Sequence, residues 1–293
     1  LPMMSIVQKL IQKPVHAWDL QPPEATALQI RLSQHVVRQR CICFKDIDTV
    51  AGVDTGYRGD SAYAAVVVMK LADLRLLEEA VAAKAVQFPY IPGLLCFREG
   101  PVILKALHKL KTPPDLLMLD GQGIAHPRRF GIASHIGVLL DTPTIGCAKS
   151  RLIGEHQEPA SNAGCTAELR DNGEVIGAVV RTRTGVKPLY VSIGHLIDLP
   201  SAVKWVLACC RGYRLPEPIR RAHELATRAR GGSAPAPWSG SASGRRGRRD
   251  RRPRRVRDRR PRRGRAHGGR DRPRPVVTLC RNGRNGNISG FPL

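Results

Sequence analysis

Apolar residues in this chain follow two patterns, short near-continuous runs and stripes at helical spacing, and both stop near residue 228. The runs at 50–54, 62–71, 75–86, 115–120, 144–148, 175–180 and 189–192 read as buried strands. The stripe Ala25, Leu28, Leu32, Val36 predicts a helix over 24–40 opened by Pro22-Pro23, and further helices are expected at 102–110, 131–140 and 219–228. Asp198 or Ser201 caps another helix, running to Cys210. The short link Ala72-Asp73 implies an antiparallel hairpin, as does Asp171-Asn172-Gly173. Residues 1–20 are irregular, with Trp18 as an anchor against the body. Strands alternating with helices indicate an α/β fold, and the length is ample for a large core.

Two of these runs end in a carboxylate, Asp54 in the first and Asp120 in the fourth. Aspartate is depleted in strands and costly to bury alone, so a cation is the simplest reason for it. If the two strands lie side by side in parallel, their carboxylates meet at one sheet edge, where α/β proteins build their sites. Glu99 joins them from the mouth of a helix whose first turn holds Pro101. Oxygen-only ligands favour Mg²⁺ or Mn²⁺, ions that polarise phosphate and activate water. Lys149, at the end of the 144–148 strand, is placed to balance transition-state charge, and His126 or His223 to ligate metal through water or shuttle a proton. Taken singly, each has a bland reading: a strand-end Asp often caps a helix, and a lone His is usually structural.

Between strand and helix lies Pro89-Tyr90-Ile91-Pro92-Gly93. Each proline fixes its own φ and biases the residue before it toward extended geometry. Tyr90 therefore sits on a stiff loop and is read either as an exposed wedge or as a buried ring in a surface turn. Arg128 and Arg129, after the Gly121-Gln122-Gly123 turn, are expected to hold phosphates and set register.

Charge sharpens the division at 228. Of the net +24, the stretch 228–293 carries +18, from 21 Arg and three Asp with no Lys or Glu. The body is mildly basic, which fits a nucleic-acid partner without proving one. Residues 229–293, rich in Arg, Gly, Pro and Ser, cannot bury enough surface to offset their ordering entropy and read as a disordered tail. The tail is either a polyanion-binding arm or, the preferred reading, the monotony of GC-rich DNA translated in a wrong frame. Eight scattered cysteines make no zinc spacing and no disulfide framework, which suggests a reducing compartment. No run approaches the length of a membrane span, so a cytoplasmic protein without a membrane partner is expected.

The segments Val50-Ala51-Gly52-Val53-Asp54, Phe88-Pro89-Tyr90-Ile91-Pro92-Gly93-Leu94-Leu95, Phe97-Arg98-Glu99-Gly100-Pro101, Asp120-Gly121-Gln122-Gly123-Ile124-Ala125-His126-Pro127-Arg128, Gly146-Cys147-Ala148-Lys149-Ser150 and Arg214-Leu215-Pro216-Glu217-Pro218 with Ala222-His223 closely resemble the deoxyinosine-directed endonuclease V family. The resemblance runs in order over about 16–228, with Cys96 standing where a small residue such as Ser or Ala is expected. It implies an RNase H-like fold, a mixed central sheet flanked by helices, in one catalytic domain over 1–228. It implies Mg²⁺-dependent nicking of DNA at the second phosphodiester 3′ to a deaminated purine by a monomer, leaving 3′-hydroxyl and 5′-phosphate ends. Mn²⁺ is expected to substitute. By motif position, Asp54 and Asp120 look like the metal pair, Glu99 a further catalytic carboxylate, His223 the helix-borne active-site histidine, and His126 and Lys149 supporting catalytic residues. Pro89, Tyr90, Ile91 and Pro92 resemble the strand-separating wedge, and Gly93, Leu95, Gly121 and Ile132 the lesion pocket. Cleavage of inosine-containing RNA on the same scaffold, or damage binding without catalysis, are the alternatives.

Overall fold

The computed structural model describes residues 16–39 and 47–231; expectations for 1–15, for Cys41 and Cys43, and for the tail from 232 onward lie outside the described residues. In chain order the elements are α1 (Pro22–Ser33), β1 (Thr49–Arg58), β2 (Ser61–Lys70), β3 (Leu76–Ala85), α2 (Leu95–Leu107), β4 (Leu116–Leu119), α3 (Ile132–Leu140), β5 (Thr144–Ala148), β6 (Thr166–Asp171), β7 (Glu174–Val180), β8 (Leu189–His195), α4 (Leu199–Ala208) and α5 (Glu217–Arg230).

The strands form one mixed sheet of eight, in the order β3-β2-β1-β4-β5-β8-β7-β6. β1, β4 and β5 run parallel, and the flanking pairs are antiparallel. The continuous apolar runs have a plain cause: these strands are covered on both faces. Val50, Met118 and Ile145 pack with Trp205 of α4 and Ile219 and Leu225 of α5. Ala51, Val53, Leu117 and Leu119 pack on the other side with Ile103 of α2 and Ile136 of α3. This is the α/β, RNase H-like arrangement of a mixed sheet flanked by helices. Trp18 does anchor the first described residues, stacking on His135 with ring centroids 5.4 Å apart. Among the described residues no helix is long and apolar enough to cross a membrane.

Several boundaries differ from the sequence expectations. β1 does not stop at Asp54; it continues to Arg58 because β2 pairs with it rung by rung, Asp54 opposite Ala65 and Arg58 opposite Ser61. The turn shrinks to Gly59-Asp60, with Gly59 at φ +53°. α2 starts at Leu95 rather than 102, since burying Cys96 and Phe97 draws the first turns into the helix. Pro101 is therefore interior and Glu99 lies more than a turn inside. α1 ends at Ser33, yet Val36 still packs against the core, which explains the longer periodic reading. The last helix extends to Arg230, past the boundary expected at 228. The 171–173 hairpin forms as expected, with Asn172 and Gly173 both at positive φ. Asp198 caps α4, its Oδ1 accepting the Ser201 amide at 2.7 Å.

α5 lies directly on β1 because residue 52 has no side chain: a Cβ on Gly52 would meet the Pro218 carbonyl carbon at 2.1 Å. Gly52→Val is expected to push α5 off the sheet and cost about 1–3 kcal/mol, as overpacking does. Urea unfolding measures it.

Candidate active site

One backbone contact sets the site. The Asp120 amide, one residue past β4, donates to the Val53 carbonyl of β1 at 3.1 Å. This continues the parallel ladder that pairs Val53 with Leu119, so Asp54, midway along β1, and Asp120, just past β4, stand level on neighbouring strands. Asp54 is buried, and Nδ1 of His223 on α5 contacts its Oδ2 at 2.8 Å. β5 is the next parallel strand, and Lys149 follows its last residue, pairing its ammonium with Oδ2 of Asp120.

Glu99 approaches from α2 and is also buried. Its Oε1 accepts the Tyr57 hydroxyl at 2.8 Å, and Thr55 adds a second side-chain hydrogen bond. Burial pushes the Glu99 carboxyl up to about 7 against those two hydrogen bonds, and the charges of Asp54 and Asp120 push it the same way. Asp120 is pushed up to about 6 by burial, then by the Asp54 charge, with Lys149 opposing. All three carboxylates thus act on one another across one site.

Beside them opens a cavity of about 330 Å³. Gly93, Leu95, Gly121 and Ile132 all line it, as do Asp120 and Lys149. Tyr90, Ile91 and Pro92 line it too, and Tyr90 is 70% exposed there, so the buried-ring reading fails.

Three sequence readings are corrected. His126 is buried with both ring nitrogens engaged: Nε2–H donates to the Gly93 carbonyl at 2.9 Å, and Nδ1 accepts the Arg128 amide at 3.2 Å. In this arrangement the Nδ1 lone pair is taken by the Arg128 amide. Burial holds the pKa of the ring down at about 4, which keeps it neutral. Arg128 points inward, to Gln29 and the Gly93 carbonyl. Arg129 forks onto Asp171 and Glu174, bracing the β6–β7 hairpin rather than meeting a phosphate.

Sequence reasoning missed Gln29, Thr55 and Tyr57. Val53, Thr55 and Tyr57 share one face of β1 by strand alternation, the face toward α2, but ending the strand at Asp54 hid it. The signal for Gln29 was a polar residue inside the apolar stripe of α1; it is only 1% exposed.

A sequence model of the Endonuclease V family matches residues 30–224. Endonuclease V of Methanothrix thermoacetophila is 54% identical over 211 residues, covering 72% of this chain and 93% of that protein. The crystal structure of Endonuclease V from Streptomyces avermitilis is 43% identical with a TM-score of 0.70, over 73% of this chain and 94% of that one. Endonuclease V from Ciona intestinalis, 27% identical with a TM-score of 0.62, over 71% of this chain and 96% of that one, was crystallised with a 24mer DNA containing an inosine followed by a ribo-adenosine. Matched across the strands, helices and loops that build the site, this chain belongs to the Endonuclease V family.

Proposed function

We propose that this chain nicks DNA at the second phosphodiester bond 3′ to deoxyinosine by Mg²⁺-dependent hydrolysis, leaving 3′-hydroxyl and 5′-phosphate ends. The observation that carries this reading is the convergence of Asp54, Asp120 and Glu99 beside a cavity rimmed by an exposed Tyr90. The inosine-containing DNA bound by the Ciona relative supports the substrate class.

Among the described residues no three His, Cys, Asp or Glu side chains are already spaced around a metal position. Two carboxylates suit Mg²⁺ nonetheless, since it keeps waters and takes substrate phosphate oxygens as its remaining ligands. Asp54 and Asp120 would hold the ion, and their mutual repulsion fits a site completed by positive charge. When bound, the ion polarises the phosphate and lowers the pKa of water. Glu99, kept protonatable near neutrality by burial, can accept a proton from the attacking water. His223, half exposed, would hold Asp54 in place beside the ion. Lys149 supplies positive charge opposite the developing charge on phosphate. Tyr90 fills the stack where the base leaves, and a weakened inosine pair lowers the cost of extruding it. On this reading one catalytic domain works as a monomer in the cytoplasm, with Mn²⁺ able to replace Mg²⁺.

A second reading, cleavage of inosine-containing RNA, draws support from the ribo-adenosine after inosine in the Ciona complex. Competition between matched DNA and RNA duplexes separates the two, and a nick mapped two bonds 3′ to a single inosine tests the first directly. Asp54→Ala should lower the nicking rate about 10³-fold, the several kcal/mol a metal contributes, while substrate binding in Ca²⁺ persists. Tyr90→Ala should cost roughly 1–3 kcal/mol of preference for inosine over adenine duplexes, the worth of one stacked base; equal discrimination would remove the wedge role.

Metal should also govern stability. Glu99 and Asp120 titrate near 7 and 6 in the folded chain, against 4.5 and 3.8 unfolded. These two groups make the folded state hold more protons and lose stability as pH rises from about 4 through about 7. Buried His126, held down at about 4, and the lowered His16, His135 and His195 act in the opposite sense below about 6.5. The carboxylate part is therefore read as the difference between the chelator-treated chain and its Asp120→Asn variant. Mg²⁺ at pH 7.5 should restore it by binding the ionised pair. Thermal melts against pH, with and without Mg²⁺, read both effects, and Asp120→Asn should flatten the slope.

A further inference from the structure

Gly93 ends the wedge loop, and its carbonyl oxygen is unusually occupied. It accepts from Gln29 Nε2 at 3.0 Å, from His126 Nε2 at 2.9 Å and from Arg128 Nη2 at 2.8 Å. A carbonyl has two lone pairs, so three donors saturate it. The donors also bind one another. Arg128 Nε donates to Gln29 Oε1 at 2.6 Å, and the Arg128 amide donates to His126 Nδ1. Gln29 spends its second amide hydrogen on the Phe130 carbonyl at 3.2 Å. The group thus joins α1, the wedge loop and the loop after β4 through one oxygen.

The residue at the centre has to be glycine. Its φ is +81°, and a Cβ would sit 2.9 Å from Arg128 Nη2. The other root of the loop is tied as well. Arg98 Nη1 donates to the Phe88 carbonyl at 2.8 Å while its guanidinium lies 4.8 Å from the Tyr57 ring centroid. Between these anchors the Leu94 amide closes onto the Ile91 carbonyl at 2.9 Å, and Tyr90 stands in solvent. Gln29, Gly93 and His126 are also part of the cavity wall.

We infer that Gln29, His126 and Arg128 are positioning residues that converge on the Gly93 carbonyl, fixing the wedge and the adjoining wall of the base cavity before substrate arrives. This rests on the inosine-directed reading above. A loop held in its working geometry does not spend binding energy on ordering itself. More of that energy then separates a base that leaves the stack easily from one that does not.

Gln29→Leu keeps the size of the side chain and removes its share of the network. Hydrogen exchange at the Leu94 amide, which closes the loop onto the Ile91 carbonyl, should quicken about tenfold in the free, full-length protein, as for one lost buried hydrogen bond, with β1 and β4 amides unchanged. The ratio of kcat/KM on inosine and adenine duplexes should fall by a similar factor, through KM more than kcat. Arg128→Lys, which keeps the charge and loses the fork, serves as the second variant if Gln29→Leu does not fold, with the same shifts expected. Unchanged exchange in folded variants overturns the clamp. Faster exchange with unchanged discrimination overturns the positioning role. If the unsubstituted chain cuts no inosine substrate, DNA or RNA, the functional reading falls, and the positioning role falls with it even if exchange quickens.

Discussion

The hydrogen bond from the Asp120 amide to the Val53 carbonyl is the contact on which the site depends. It is the last rung of a short parallel ladder, and it puts two acidic side chains next to each other, Asp54 midway along β1 and Asp120 just past β4. Folding alone would avoid that juxtaposition, since like charges out of water raise each other's pKa. The fold tolerates it because other elements bring partners to the same point: the Lys149 ammonium at the end of the next strand and the His223 ring on a helix that can reach only because position 52 is glycine. Sheet order, strand direction and one missing side chain thus act together on a site their residues reach from distant parts of the chain.

Much of this was legible in the sequence, and the limits are physical. Apolar runs identify buried strands well, so the sheet core and the parallel neighbours β1 and β4 could be anticipated. Boundaries failed where tertiary pairing overrode local signals. Thr55-Gly56-Tyr57 looks like a turn, yet β2 supplies a partner for every residue and makes it strand. Pro101 looks like a helix start, yet buried Cys96 and Phe97 extend the helix in front of it. Each error hid contacts to Glu99. Side-chain direction was the second limit: a sequence shows that His126, Arg128 and Arg129 are near the Gly121-Gln122-Gly123 turn, but not that the first two turn toward Gly93 and the third toward the β6–β7 hairpin.

Those residues change how charge is read in this molecule. The mildly basic body suggests cations waiting for phosphate, but several arginines are structural braces. Arg129 spans two carboxylates on the β6–β7 hairpin, Arg181 gathers the 158–160 and 186 segments, and Arg214 ties the Lys149 and Pro188 carbonyls together. A planar fork with five donors suits bridging acceptors from different segments, which a lysine cannot do. On the proposed function, attraction to nucleic acid draws, among the described residues, on basic side chains outside these braces, exposed Arg151 beside the cavity among them. Charge counts alone would have assigned that task to the wrong side chains.

The same bracing explains how a rigid wedge and a repelling acidic cluster can share a wall. A cluster of buried carboxylates favours local opening, because separation relieves repulsion and admits water. Opening at Asp120 would carry the following loop with it, and that loop holds His126 and Arg128. Both are fastened through Gly93 to α1, whose Ala25, Leu28 and Leu32 sit in an aromatic cluster with Phe88, Phe97 and Phe130. The repulsion is thus resisted by apolar packing on the far side of the cavity, where no charge is involved. The polar network transmits that restraint, and the wedge, lying between the two anchors, inherits its stiffness from both.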